Sequence, residues 1–155
     1  EEPELCFRLR QSGWKIYRAD QLMTYHDAAM TRFSQWLRRA MRAGYAYAAG
    51  NALHRRAPGG FRRRENLRIA FWGSLLPLAA LIGAIVVSPW LLLLLLAYPI
   101  QFARLWLANK NSGADFPAAR YAFFMLLAKW PEHGGQLLFL SRRLRGAEQT
   151  LIEYK

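Results

Sequence analysis

Ile69-Ala70-Phe71-Trp72-Gly73-Ser74-Leu75-Leu76-Pro77 opens a run that continues through Ser88-Pro89-Trp90 and the leucines Leu91 to Leu96, and it reaches Ala103 without one charged residue. A single straight helix over this run would extend about 50 Å at 1.5 Å per residue, well beyond a hydrocarbon layer of about 30 Å. It is therefore expected to fold back on itself. Ser88-Pro89 is the break, giving one span near Ile69 to Val87 and another near Trp90 to Leu107, each about 28 Å long by the same rise. Pro77 and Pro99 fall inside these spans and should kink them, with Ser74 or backbone shifts satisfying the freed carbonyls. A buried soluble hairpin is the weaker alternative, because Leu91 to Leu96 has no polar face.

Charges flank the run. Upstream, Arg55, Arg56, Arg62, Arg63, Arg64 and Arg68 surround Pro58-Gly59-Gly60, so the stretch from about Gly50 to Arg68 reads as a basic loop on a membrane surface. There anionic headgroups attract each nearby Arg by about 1 kcal/mol. Before it, Asp27 can cap a helix from Ala28 to about Ala49. Met30, Phe33, Trp36, Leu37, Met41 and Tyr45 lie on or near one stripe of that helix, with Arg32, Arg38, Arg39 and Arg42 over the rest, a pattern that suits the headgroup layer. Arg104 and Lys110 follow the second span while the turn carries no charge, which places both ends on the cytoplasmic side. Further on, residues 109–115 read as a loop. An apolar helix through Phe123, Phe124 and Leu127 to Lys129-Trp130 is too short to span and is expected to be interfacial or re-entrant. Pro131 and Gly134-Gly135 are expected to break it, and Gln136 to Arg145 to form one more basic amphipathic helix.

The totals agree with a membrane surface. The 155 residues carry a formal charge of +12, yet 54% are hydrophobic and six are Trp. Soluble nucleic-acid binders share the first property but seldom the second, so nucleic acid is not expected as a partner. One cysteine, Cys6, allows no internal disulfide and no Cys-based metal site, and reads as a small packing residue. The chain opens without an initiating Met, inside an apparent helix cap, and is expected to be the C-terminal piece of a longer protein.

That opening, Glu1-Glu2-Pro3-Glu4-Leu5-Cys6-Phe7-Arg8-Leu9-Arg10, packs three carboxylates around a proline suited to a first helical turn. Leu5 and Leu9 recur at helical spacing until Gly13. Glu1 and Glu2 would then sit at a helix N-terminus, where orphan N–H groups and the macrodipole favour the ionised carboxylate. Plain capping is the competing explanation. After Gly13, Trp14 to Ala19 alternates apolar and polar like a short strand, Asp20-Gln21 like a turn, and Leu22 to His26 like a second extended piece. Together these predict the tail of an α/β layer. Of the three histidines, His54 and His133 have no assignable role.

These elements resemble the C-terminal part of a membrane-associated family 2 glycosyltransferase with the GT-A fold. The matching residues are Glu1-Glu2-Pro3-Glu4-Leu5 with Arg8, Gly13-Trp14, His26-Asp27 and Gln35-Trp36-Leu37-Arg38-Arg39, followed by paired spans. The resemblance implies that Glu1 and Glu2 form the acidic pair opening a helix, with Glu2, in place of the usual Asp, as the base that deprotonates the acceptor hydroxyl in an inverting transfer. It places His26 near the metal and donor diphosphate. It makes Gln35, Trp36, Arg38 and Arg39 the counterpart of the family's QxxRW element, although Arg39 stands where Trp is expected. In that role Arg38 would neutralise a diphosphate and Trp36 would stack on a sugar; interfacial anchoring explains both equally well. A divalent metal, Mg or Mn, is implied as cofactor, bound mostly by residues upstream, so the fragment alone is expected to be inactive.

The expected architecture is mainly α and membrane-associated, in four parts. Residues 1–27 are the α/β end of a GT-A catalytic domain, 28–68 the basic interface helix and loop, 69–108 a transmembrane helical hairpin, and 109–155 interfacial helices with a basic tail. The implied partners are a nucleotide-sugar donor, a sugar or lipid-linked acceptor, and membrane lipids. The expected location is the inner, cytoplasmic membrane, as a multi-pass protein. The alternative function is a non-catalytic basic membrane adaptor.

Overall fold

A computed structural model of the chain describes residues 2–17, 30–57, 60–111 and 117–146. Every regular element within them is helical: α1 (Glu2–Gln11), α2 (Phe33–Leu53), α3 (Arg63–Ala70), α4 (Leu76–Val86), α5 (Ala97–Lys110), α6 (Ala118–Leu127) and α7 (Lys129–Leu144). A π-helical turn, Phe71–Leu75, joins α3 to α4, and a 3-10 stretch, Pro89–Leu96, leads into α5.

The expected α/β tail is corrected by this all-helical architecture. Residues 14–17 are neither helix nor strand, and Leu22 to His26 lie outside the described residues. Trp14 and Ile16 do alternate with Lys15 and Tyr17. A strand, however, exists only where its backbone N–H and C=O groups pair with a neighbour, and the described residues contain no strand to pair with. Alternation fixes the side-chain period and leaves the backbone partner undetermined. α1 itself ends as its sequence indicates: the Trp14 N–H bonds to Leu9 O and the Gly13 N–H to Arg10 O, with Gly13 at φ 84°. This is a left-handed helix terminus that favours glycine.

α3, the π turn and α4 form one continuous helix, Arg63–Val86, and the 3-10 stretch with α5 forms another, Pro89–Lys110; both are long and apolar enough to cross a membrane. The break between them falls at Val87-Ser88. There the Val87 and Ser88 N–H groups both bond to Gly83 O, and the Leu91 N–H returns to Ser88 O. Gly83 leaves room for the second span, since a Cβ on it would lie 2.6 Å from Leu91 Cδ1. Both internal prolines coincide with a change of winding. Ahead of Pro77 the chain widens into the π turn, closed by the Leu76 N–H on Phe71 O. Ahead of Pro99 it tightens into the 3-10 stretch, closed by the Ala97 N–H on Leu94 O. Each proline lacks the N–H that an α-helical carbonyl would use, and the altered winding re-satisfies the backbone locally. A core helix of a soluble protein would be covered over its apolar length; only 17% of the most apolar stretch of the first span is buried and 0% of the second.

Buried side chains gather elsewhere, around the crossing of α2, α7 and the first half of the first span, and include Ala40, Tyr45, Phe61, Ile69 and Phe139. Glycine sets the closeness of this junction. A Cβ on Gly44 would lie 1.8 Å from Glu132 O, one on Gly135 2.0 Å from Met41 O, and one on Gly73 2.5 Å from Lys129 O. Backbone therefore meets backbone at three places, as glycine permits.

Several expected boundaries shift for the same reason. Gly134-Gly135 does not end a helix but lies in the middle of α7, and Pro131 sits in its first turn, where a missing N–H does little harm. The helix expected from Ala28 begins at Phe33, after the extended Arg32, and runs on to Leu53; Asp27 and Ala28 lie outside the described residues. The basic loop is correspondingly short, because α3 already starts at Arg63. It is also not purely a surface feature: Phe61 is buried against Gly50, whose Cβ would fall 2.5 Å from its ring.

The two neighbouring glycines of α7 give opposite expectations. Around Gly134 nothing lies within 4 Å of an added Cβ, so Gly134→Ala should stabilise the helix by up to about 1 kcal/mol. Gly135→Ala must push α2 aside and should destabilise by about 1–3 kcal/mol or more. Thermal unfolding of the two variants in the same detergent checks this; equal midpoints would show that the α2–α7 contact is not set by Gly135.

Candidate functional site

Glu2 is the first residue of α1, with Pro3 next to it; Glu1 and His26 lie outside the described residues. The third acid of the opening, Glu4, is committed to holding α1 in place. Its carboxylate accepts from Arg8 Nε at 3.0 Å, one helical turn on, and lies 2.7 Å from His54 Nε2 just past the end of α2. Phe7 completes the dock, its ring edge-on to His54 at 4.9 Å and to Phe61 at 5.2 Å. Arg8 stands four residues after Glu4, the spacing at which side chains on one helix face meet. His54, fifty positions away, carried no signal and is a residue that sequence reasoning missed.

The Gln35 to Arg39 segment lies at the other end of α2. Gln35 turns its side chain back over the helix start, where Oε1 accepts from the Thr31 and Arg32 N–H groups at 3.1 and 3.2 Å. These are the bonds of a helix cap, so the amide oxygen is occupied with the backbone. Trp36 stacks on Phe33, with ring centroids 5.1 Å apart, and meets Phe124 of α6 edge-on at 5.3 Å. Its ring serves to join α2 to α6. Arg38 and Arg39 are exposed, with Arg39 Nη1 4.0 Å from Met30 Sδ. From Arg38 to His54 is about 24 Å along the helix at 1.5 Å per residue. Glu4 and Arg38 are thus not brought into one cleft.

A polar seam runs through the helix junction instead. Gln136 Nε2 donates to Asn66 Oδ1 at 2.8 Å and to Asn66 O at 3.2 Å. The Asn66 amide donates in turn to Tyr47 O at 2.8 Å and Arg62 O at 3.1 Å. His133 Nδ1 lies 3.0 Å from Gln136 Oε1; an amide oxygen only accepts, so the proton sits on Nδ1. Close by, Lys129 Nζ and Glu132 are paired at 2.7 Å. Asn66 and Gln136 thereby tie α2, α3 and α7 together, and His133 fills space against Gly73. No spacing rule relates residues seventy apart, so the seam was invisible in the sequence.

Among the described residues no three His, Cys, Asp or Glu side chains gather as a metal site. They supply no donor set for Mg or Mn. No family model, no curated protein and no solved structure matches the chain.

Gln35 supplies a direct test of capping. Gln35→Ala should lower helix stability by about 0.5–2 kcal/mol through the lost cap, read as a reduced unfolding midpoint. An unchanged midpoint would show that the Gln35 side chain does not hold the start of α2.

Proposed function

We propose that the chain carries the catalytic base and the membrane anchor of an inverting, nucleotide-sugar-dependent glycosyltransferase working at the cytoplasmic membrane face. The family resemblance of Glu1 to Leu5, Arg8, Gly13-Trp14 and the paired spans supports this reading. The observation that carries it is the position of Glu2 as the first residue of α1, a helix docked onto the membrane-associated bundle through Glu4, Phe7 and His54. At such a position unpaired N–H groups and the helix macrodipole favour a charged carboxylate, the form a base needs at neutral pH. In the reaction the acceptor hydroxyl oxygen attacks the anomeric carbon while the nucleoside diphosphate leaves from the opposite face. The hydroxyl proton passes to Glu2, and the configuration inverts.

The membrane part of the proposal follows the charge pattern. Arg62, Arg63, Arg64 and Arg68 precede or open the first span, and Arg104 and Lys110 close the second. Both ends of the hairpin are therefore cytoplasmic and the Ser88-Pro89 turn faces the other side. The separation of α1 from the Gln35 to Arg39 end of α2 favours a second reading, in which the basic helices and hairpin serve only as an adaptor for anionic lipid or a partner protein.

Two measurements decide. In the full-length protein, Glu2→Gln should reduce sugar transfer by about 10²–10⁴-fold, the usual contribution of a positioned base, while donor binding persists. Unchanged turnover would leave the adaptor. For the topology, Ser88→Cys in a Cys6→Ser background should react with a membrane-impermeant maleimide in intact cells whose outer layers are permeabilised. Labelling only after the inner membrane is opened would invert the proposed orientation.

A further inference from the structure

Between the second span and α6 runs a groove of about 350 Å³, near the lower end of the range for small-molecule sites, about 300–1,000 Å³. Tyr98, Pro99 and Phe102 line it from the second span, and Phe123, Leu126, Leu127 and Trp130 from α6 and the start of α7. The Tyr98 hydroxyl donates to Trp72 O, so its polar tip is already used and what remains is hydrocarbon. Toward the α5–α6 connection the chemistry differs. Only residues 111–117 connect α5 to α6, so the two helices run antiparallel there and Lys110 and Arg120 lie at the same end of the pair. Lys110 continues the stripe of Phe102 and Trp106 at four-residue intervals and sits 5.7 Å over the Trp106 ring. Arg120 continues the stripe of Phe123 and Leu127. Both cations are exposed, and among the described residues neither pairs with a carboxylate.

We propose that this groove is a lipid site that holds one acyl chain of an anionic phospholipid, tail toward Trp130 and phosphate between Lys110 and Arg120. The occupant follows from the chemistry of the two ends. An apolar trough takes a hydrocarbon chain, and a pair of exposed cations farther along the same two helices, toward the α5–α6 connection, takes a phosphate. A partner helix, about 10 Å across with its side chains, is too wide for the furrow between two helices already in contact. The site depends on the hairpin lying in a bilayer but not on transfer chemistry, so it stands whichever way the Glu2→Gln test falls.

The test uses the full-length protein in mixed micelles containing equal amounts of phosphatidylglycerol and phosphatidylcholine with identical acyl chains, read by native mass spectrometry. One retained phosphatidylglycerol is expected, enriched at least fivefold over phosphatidylcholine. Lys110→Gln with Arg120→Gln should bring the enrichment below twofold, whereas Arg55→Gln with Arg56→Gln, in the basic stretch after α2, should leave it unchanged. Without any substitution, shortening the acyl chains from sixteen to six carbons should lower retention at least tenfold, because the groove then goes unfilled. No enrichment in the parent protein, an equal loss in the Arg55/Arg56 variant, or retention independent of chain length would each overturn the site.

Discussion

Backbone meets backbone where α2 and α7 cross at Gly44 and Gly135 and where the π turn meets α7 at Gly73. The contacts between α2, α3 and α7 depend on that spacing. With any side chain at these positions the helices would stand farther apart, and the amide of Gln136 would no longer reach Asn66 at 2.8 Å. Close van der Waals packing and interhelical hydrogen bonds hold the helices together here. The three glycines supply the first, and the Tyr47–Asn66–Gln136–His133 seam supplies the second.

The hairpin is built on a different principle. Its spans touch near the turn through Gly83 and Leu91, and their outer faces carry exposed leucine, isoleucine and valine. Pro77 and Pro99 each remove a backbone donor where water would not replace it. The neighbouring turns change pitch, one widening and the other tightening, and the carbonyls find partners without leaving the helix. The tighter 3-10 winding also rises farther per residue. The 22-residue second span therefore reaches about 37 Å, close to the about 36 Å of its 24-residue partner.

α1 relates to this bundle as an attached arm. Glu4, Phe7 and His54 hold it by one ion pair and a cluster of rings at the far end of α2 from Gln35. A base on α1 would be placed by that dock rather than by the segment that resembles QxxRW, whose Gln35 and Trp36 are engaged in capping and in packing on α6. The working surface proposed for the chain is accordingly split. In that proposal proton chemistry would belong with α1, and lipid contact with the hairpin and α6.

The amino-acid sequence determined the helical hairpin and its break, because thirty-five uncharged residues exceed one membrane thickness and Ser88-Pro89 interrupts them. It also determined the basic amphipathic character of α2 and the glycine end of α1, since periodicity and left-handed turns are local properties. Tertiary structure alone decided what glycine means in α7. Gly134-Gly135 reads as a breaker until α2 arrives 2.0 Å from the missing Cβ. It alone decided that Trp14 to Tyr17 has no strand to pair with among the described residues, that Phe61 leaves its arginine-rich surroundings for the interior, and that His54 meets Glu4. Each of these depends on a neighbour tens of residues away, and a one-dimensional pattern carries periods and lengths but no such distances.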